Sequence, residues 1–90
     1  MKCSTDFVLQ AFLRMAIFTE LKEWNQRLQE KQCPFGATEF SFWVITILPF
    51  SDDRRLQMLR LESAVERLRY ELQLLREVVN VMKYWQVSLR

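Results

Sequence analysis

A proline and a short run of capping residues divide the middle of this chain into separate helices. The block Phe40–Phe50 is apolar at nearly every position, and Pro49, near its end, lacks the backbone donor that a helix interior needs. Ser51 follows at the position of an N-cap, and Asp52 and Asp53 place negative charge in the positive first turn of the next helix. The pattern predicts that one helix ends before Pro49 and that another begins after Ser51.

A capping box predicts the start of a further helix. Ser63 and Glu66 have the spacing S-x-x-E, in which a hydroxyl and a carboxylate satisfy the first backbone donors of a helix. The predicted helices of this region span Thr38–Leu48, Asp52 to about Leu61, and Ala64 to about Tyr84. The β-branched run Val44–Ile47 also fits a strand. We prefer a helix there because the neighbouring segments are helical and no partner strand is visible.

The N-terminal third of the chain predicts one long helix. Apolar residues recur at spacings of mostly three and four as far as about Lys31, and Glu23 and Arg27 are spaced as an i,i+4 ion pair. A loop is expected at Gln32–Gly36, which holds the one glycine of the chain. The candidate N-caps of this helix are Ser4, Thr5 and Asp6.

Two segments are apolar on almost all sides, namely Phe7–Phe18 and Phe40–Phe50. Neither reaches the roughly 18 to 20 apolar residues that a helix needs to cross a bilayer. We therefore expect no transmembrane segment, and we interpret both segments as buried helices.

The C-terminal half carries a regular apolar stripe. Its members alternate at spacings of three and four, which is the a/d pattern of a heptad repeat: Met58, Leu61, Val65, Leu68, Leu72, Leu75, Val79 and Met82. This stripe fits either the seam of a coiled-coil dimer or the core face of a helical bundle. A second apolar stripe lies beside it and consists of Leu74, Val78, Val81 and Trp85. The wider apolar face favours the bundle.

Composition supports a small helical protein. Half of the 90 residues are hydrophobic, which is too many for a disordered tail, and one glycine with two prolines leaves few turn residues for an all-β fold. We predict an all-α bundle of about four helices over residues 1–90, as a single domain or a fragment of a larger one. The net charge of +2 arises from interleaved basic and acidic residues, so no stripe for nucleic acid is expected.

The residues that carry most enzyme chemistry are scarce. There is no histidine, and one glycine cannot supply a phosphate-binding loop. The carboxylates lie among basic residues on what we interpret as wet helix faces, which gives no route to a raised pKa. Cys3 and Cys33 lack the partners of a zinc site or a disulfide framework, so we expect reduced thiols and a cytoplasmic or nuclear protein. We expect no catalytic residue, no cofactor and no metal, and hence no enzyme.

The aromatic residues fall into two groups. Trp24, Phe40, Phe42 and Trp43 stand at helical spacing within apolar segments, where aromatic side chains usually belong to a core. Tyr84 and Trp85 lie near the C-terminus and are candidates for exposed anchors.

Taken together, these motifs resemble the helical C-terminal part of LON domains, a family first seen at the N-terminus of Lon proteases. The matching motifs, in order along about residues 21–76, are Lys22-Glu23-Trp24, Phe40-Ser41-Phe42, Leu48-Pro49, Asp52-Asp53, Gln57-Met58-Leu59, Ser63-Ala64, Glu66-Arg67-Leu68-Arg69 and Glu71-Leu72. The motif and core residues that we single out are Trp24, Phe40, Phe42, Leu48, Pro49, Leu59, Leu68 and Leu72, with Ser51, Ser63 and Glu66 as helix caps.

The resemblance implies the helical half of a LON domain without its β-sheet half, which would precede Met1. One branch of the family acts as substrate receptors of cullin-RING ubiquitin ligases, and there this helical region docks onto the damaged-DNA-binding adaptor. In that branch a zinc-bound ligand-binding domain follows. The resemblance therefore implies a truncated or partial family member with a ligase adaptor as its partner.

Three hypotheses for function follow. The leading one is a non-enzymatic protein-interaction module that buries an apolar helix face in a partner. The alternative is a self-associating helical protein held by the Met58–Met82 stripe. Binding of Phe7–Phe18 to a membrane surface ranks last, because such helices are usually rich in Lys and Arg and this one contains only Arg14.

Overall fold

The protein is described by a computed structural model that covers residues 4–88, with side chains for residues 7–85. Its elements are α1 (Ser4–Trp24), a 3-10 turn (Glu30–Gln32), α2 (Ala37–Ile47), α3 (Asp52–Arg60) and α4 (Ala64–Ser88). No strand occurs in residues 4–88, so the prediction of an all-α bundle of about four helices is confirmed. Cys3, and the side chains of the candidate caps Ser4, Thr5 and Asp6, lie outside the described parts.

The first helix ends at Trp24 and not near Lys31, as its apolar spacing had suggested. Asn25 terminates it, because the Asn25 side-chain oxygen accepts a hydrogen bond from the backbone N–H of Arg27 at 3.1 Å. Asparagine side chains favour such local turns over a continuing helix. Arg27 therefore lies beyond the helix and does not form the expected i,i+4 pair with Glu23.

The second helix is shifted by one residue at each end from the predicted span Thr38–Leu48. Leu48 is its C-cap, and the Leu48 backbone N–H donates to the Val44 carbonyl at 3.3 Å. Pro49 follows and brings no donor with which the helix could continue. Arg55 of α3 donates from Nη2 to the Leu48 carbonyl at 3.1 Å, so an acceptor at the helix end is satisfied by the next helix.

Serine side chains stand at the start of the two following helices. The Ser51 hydroxyl accepts a hydrogen bond from the backbone N–H of Arg54 at 3.3 Å. The Ser63 hydroxyl accepts from the backbone N–H of Val65 at 3.1 Å and from that of Glu66 at 3.4 Å. Because these bonds satisfy donors that a helix start leaves unpaired, the chain begins a separate α4 after Ser63 instead of extending α3.

The last helix is the centre of the fold, because α1, α2 and α3 all pack against it. The core contains Leu13, Ile17 and Leu21 of α1, Phe40, Val44 and Leu48 of α2 and its C-cap, and Val65, Leu68, Leu72, Leu75 and Val79 of α4. Most of the Met58–Met82 stripe therefore lies inside the molecule. It is the core face of a bundle, and it does not present a coiled-coil seam at the surface.

Two ion pairs define how α1 lies beside α4. Glu20 pairs with Arg76 at 3.7 Å, and Glu23 pairs with Lys83 at 3.9 Å. The second pair lies further along both helices than the first, so α1 and α4 run in the same direction. Both pairs involve partly exposed side chains and add little stability. They do show which residues of α1 and α4 lie side by side.

One face of α1 differs from the expectation of burial. The residues on the side of α1 away from the core are exposed, and we call them the outer α1 face: Phe7, Val8, Ala11, Phe12 and Met15. The reason is geometric, since α4 and α2 contact α1 on one side and no described element covers the other. Across residues 4–88, none of the helices combines the length and apolarity needed to cross a membrane.

Replacing Leu75 by alanine tests the core. Leu75 is fully buried, so Leu75→Ala is expected to lower the free energy of unfolding by about 2–5 kcal/mol through lost burial and the cavity left behind. Leu59→Ala, at an exposed position of α3, is the matched control and is expected to change it by less than about 0.5 kcal/mol. Urea denaturation followed by circular dichroism measures both values. Equal losses would contradict the packing described.

Candidate protein-interaction site

A buried arginine joins α2, α3 and α4 at one corner of the bundle. Arg67 is 4% exposed, its Nε donates to the Met58 carbonyl at 3.2 Å, and its Nη2 donates to the Leu61 carbonyl. Its Nη1 donates to the Ser41 hydroxyl of α2 at 3.0 Å. The two carbonyls belong to the C-terminal end of α3, where the helix dipole favours a cation. These acceptors replace the water that the guanidinium loses on burial.

The other face of the guanidinium lies against an aromatic ring. The Arg67 Cζ lies 4.1 Å from the centre of the Phe42 ring, within the range of a cation–π interaction. Phe42 is 41% exposed, so the expectation that it belongs to the core is wrong. Its neighbour Ser41 is fully buried and donates from its hydroxyl to the Thr38 carbonyl at 2.7 Å, which orients its oxygen toward Arg67.

A carboxyl group is buried one turn further along α4. Glu71 is 0% exposed, and neither of its side-chain oxygens has a hydrogen-bond partner. Burial raises the pKa of Glu71 to about 9, and the positive charge of Arg67 offsets this only in part. The carboxyl is therefore protonated and neutral at pH 7. The expectation that every carboxylate lies on a wet face with no route to a raised pKa is wrong for this residue.

The sequence did contain a signal for this burial. Glu71 lies at helical spacing between Leu68, Leu72 and Leu75, and all three leucines belong to the core. A helical projection of α4 thus places Glu71 within the apolar stripe. The balance of acidic and basic residues along the chain does not reveal the burial of Glu71, because a count of charges treats every charged side chain as solvated.

Cys33 is the cysteine that the described part of the chain contains, and it is a free thiol. It is half-buried, and its sulfur lies 3.8 Å from the Gln29 carbonyl oxygen as a weak donor. Burial raises the pKa of the Cys33 thiol, although the nearby Arg14 acts in the opposite direction. The thiol is therefore kept in its protonated, less reactive form.

The corner held by Arg67 presents apolar side chains to solvent. Leu56 and Leu59 lie three residues apart on α3 and are exposed, as is Phe42 on α2. We call these three residues the corner surface. Arg67 contacts the Phe42 ring and the carbonyl of Met58, which precedes Leu59, so one buried side chain restrains both parts of this surface.

The remaining motif residues occupy several environments. Phe40, Leu48, Leu68 and Leu72 lie in the core, Trp24 packs against its edge, and Pro49 is exposed. Leu59 is also exposed, and Pro49 follows the C-cap of α2, where the sequence predicted the end of that helix. The interpretation as core is wrong for Phe42. Tyr84 and Trp85 are exposed at the far end of α4, as expected, with their rings edge to face at 6.4 Å.

Sequence comparison relates this helical bundle to a region of cereblon. The chain is 41% identical over 56 residues to "Protein cereblon" of Danio rerio, a match that covers 62% of the chain and 13% of that protein. It is 34% identical over 62 residues to the Gallus gallus protein and 32% identical over 62 residues to the Xenopus tropicalis protein, each match covering 69% of the chain and 14% of the relative. No protein-family model matches the chain.

These matches support the coarser part of the resemblance drawn from the motifs. The chain is similar to a cereblon-like region, and it spans about one seventh of the length of the curated relatives it matches. Assignment to the LON family stays a prediction. A 62-residue match within 90 residues includes residues 29–62 wherever it begins, so the corner surface lies inside the cereblon-like region.

The pH dependence of stability tests the burial of Glu71. Its pKa of about 9 in the folded chain exceeds the ordinary 4.5, so between these values the folded state holds a proton that the unfolded state has released. The resulting stability is complete below pH 4.5 and is lost as the pH rises toward 9. At pH 7 the loss amounts to about 3 kcal/mol. Because glutamine does not titrate, the stability of Glu71→Gln relative to the unchanged chain is expected to increase steadily from pH 5 to 9.

Urea denaturation at several pH values measures this difference. Glu77→Gln, at an exposed position on the same helix, is the matched control and makes the same substitution at the surface. If the difference in the free energy of unfolding between Glu71→Gln and the unchanged chain stays constant with pH, Glu71 ionises in the folded state.

Proposed function

We propose that this chain is a non-enzymatic protein-interaction module, equivalent to a cereblon-like helical region, that docks on the damaged-DNA-binding adaptor of a cullin-RING ubiquitin ligase. The observation that carries the proposal is the similarity to cereblon across residues that must include the corner surface. The partner is the one that the motif resemblance implies. The chain would then act in the cytoplasm or nucleus as part of a substrate receptor.

The corner surface is the proposed contact. Leu56 and Leu59 form an i,i+3 pair on α3, which is the spacing with which helices insert apolar anchors into a partner groove. Phe42 adds an aromatic anchor, a residue class that buries a large area on binding. Burying these exposed side chains in an apolar groove would supply the main driving force, in proportion to the area removed from water.

Arg67 contributes by restraint and not by direct contact with the partner. Its guanidinium lies under the Phe42 ring and is hydrogen-bonded to the carbonyls of Met58 and Leu61 at the end of α3. A side chain that is ordered before binding loses less conformational entropy when the complex forms. We therefore assign Arg67 to positioning the corner surface.

Binding to the purified adaptor tests the proposal. Leu59→Lys is expected to weaken binding at least about tenfold, because an ammonium group would have to be desolvated in the interface. The substitution places a cation in the last turn of α3, where the helix dipole favours it, so helix stability is expected to be retained. Val81→Lys, at an exposed position of α4 outside the corner surface, is the control and is expected to bind like the unchanged chain.

Biolayer interferometry with immobilised adaptor provides the dissociation constants, and circular dichroism verifies the fold of each variant. The absence of binding by the unchanged chain at concentrations of about 100 µM would remove the adaptor as a partner. Equal weakening by Leu59→Lys and Val81→Lys would show that the contact does not lie at the corner surface.

A further inference from the structure

The outer α1 face is an apolar helix surface without charge. Val8, Phe12 and Met15 follow one another at spacings of four and three, the spacing of a helix–helix seam, and all are exposed. Phe7 and Ala11 extend this ridge. Monomeric proteins rarely expose a contiguous apolar patch of more than a few hundred Å² unless something binds there.

A groove runs beside this ridge. It has a volume of about 600 Å³, and α1 contributes Phe7, Met15 and Phe18 to its lining. The opposite wall is formed by Phe35, which is 94% exposed, and by Ala37 at the start of α2. Ridge and groove therefore share residues and lie side by side on the same surface of the molecule.

Arg14 connects the two walls of the groove. Its guanidinium donates from Nε and Nη2 to the Pro34 carbonyl at 3.1 and 2.8 Å, and its Nη1 pairs with Glu30 at 3.5 Å. These bonds attach the segment that carries Phe35 to α1. The positive charge of Arg14 is therefore paired within the molecule, and its side chain is largely withdrawn from solvent.

We propose that the outer α1 face binds the same face of a second copy of the chain, with the ridge of each copy seated in the groove of the other. Two copies related by a two-fold axis present identical patches to each other, so a patch with both a ridge and a groove is complementary to itself. This proposal goes beyond the interaction with an adaptor and does not depend on it, because it uses a different face.

The exposed area is close to what a stable interface needs. Phe7, Phe12 and Phe35 are 73%, 63% and 94% exposed, which corresponds to roughly 450 Å² at about 200 Å² per phenylalanine. Val8 and Met15 add to this area. A standard interface buries about 800 Å² per partner, so coverage of the whole patch approaches that size.

The distribution of charge favours a second copy over a lipid surface. The outer α1 face carries no charge, and the two charged residues that line the groove, Arg14 and Glu30, pair with each other within one copy. Helices that bind membrane surfaces carry Lys and Arg beside their apolar face, whereas Arg14 here is engaged by Pro34 and Glu30. Binding to lipid is therefore an outcome that the experiment has to distinguish.

Sedimentation equilibrium of the full chain from about 1 to 200 µM tests the proposal. We expect the unchanged chain to show a monomer–dimer equilibrium. Val8→Glu and Phe12→Glu are each expected to raise the dimer dissociation constant at least about tenfold, since each places two carboxylates in the interface. Val81→Glu makes the same change at an exposed valine of α4 and is expected to leave the equilibrium unchanged.

A mixing experiment tests whether like faces meet. Such a pair contains two ridge–groove contacts, each using the ridge of one copy, so a mixed dimer of Phe12→Glu with the unchanged chain keeps one intact contact and is expected to have a dissociation constant between those of the two homodimers. A mixed dimer as weak as the Phe12→Glu homodimer would overturn the pairing of like faces. Equal weakening by Val8→Glu and Val81→Glu would do the same.

A monomer at every concentration would also overturn the proposal. In that case, flotation with vesicles of phosphatidylcholine and phosphatidylserine decides whether the outer α1 face binds lipid instead. Circular dichroism of each variant shows whether a change in association reflects a loss of helical structure. The side chains of Val8, Phe12 and Val81 are exposed and do not belong to the core, so all three positions are expected to retain folding when substituted.

Discussion

Burial of the apolar stripe on α4 is the constraint on which the other helices depend. From Val65 to Val79 the stripe is covered by α1 on one side and by α2 on the other, and the core of the bundle consists of little else. A helix that carries such a stripe gains stability only when neighbours cover it, since packing of an amphipathic face outweighs intrinsic helix propensity. The short helices α2 and α3 are ordered through their contacts with α4.

The corner at Arg67 shows how a small bundle can place a polar group in its interior. Replacing buried ionisable residues by apolar side chains is often neutral or stabilising in proteins, so burial of Arg67 and Glu71 is weak evidence for stability. Arg67 instead constrains the orientation of α3. Its donors reach the end of α3 and the hydroxyl of Ser41, and these bonds specify the angle at which α3 leaves the core. Glu71, held neutral, adds no opposing charge to this arrangement.

The order of the helices could be predicted because their boundaries depend on local chemistry. Pro49 lacks a donor, and Ser51 and Ser63 supply hydroxyls at the first turns of α3 and α4. The end of α1 was missed because the apolar spacing continues past Asn25, while the turn that ends the helix depends on one side-chain bond to Arg27. Burial was the less predictable quantity. Helical projection of α4 could have indicated the burial of Glu71, but whether Phe12 faces solvent depends on which helices pack against α1, and the local sequence does not contain that information.

The shared direction of α1 and α4 has a kinetic consequence. Two helices joined by a short loop lie antiparallel, and their contacts form early because little chain has to be ordered first. Here the most extensive helix pair joins the first and last helices of the chain. The long segment between them, which contains α2 and α3, has to close into a loop before that contact can form. Contacts between distant parts of a sequence slow the search for the native state. We therefore expect this bundle to fold more slowly than an up-and-down helical bundle of the same length.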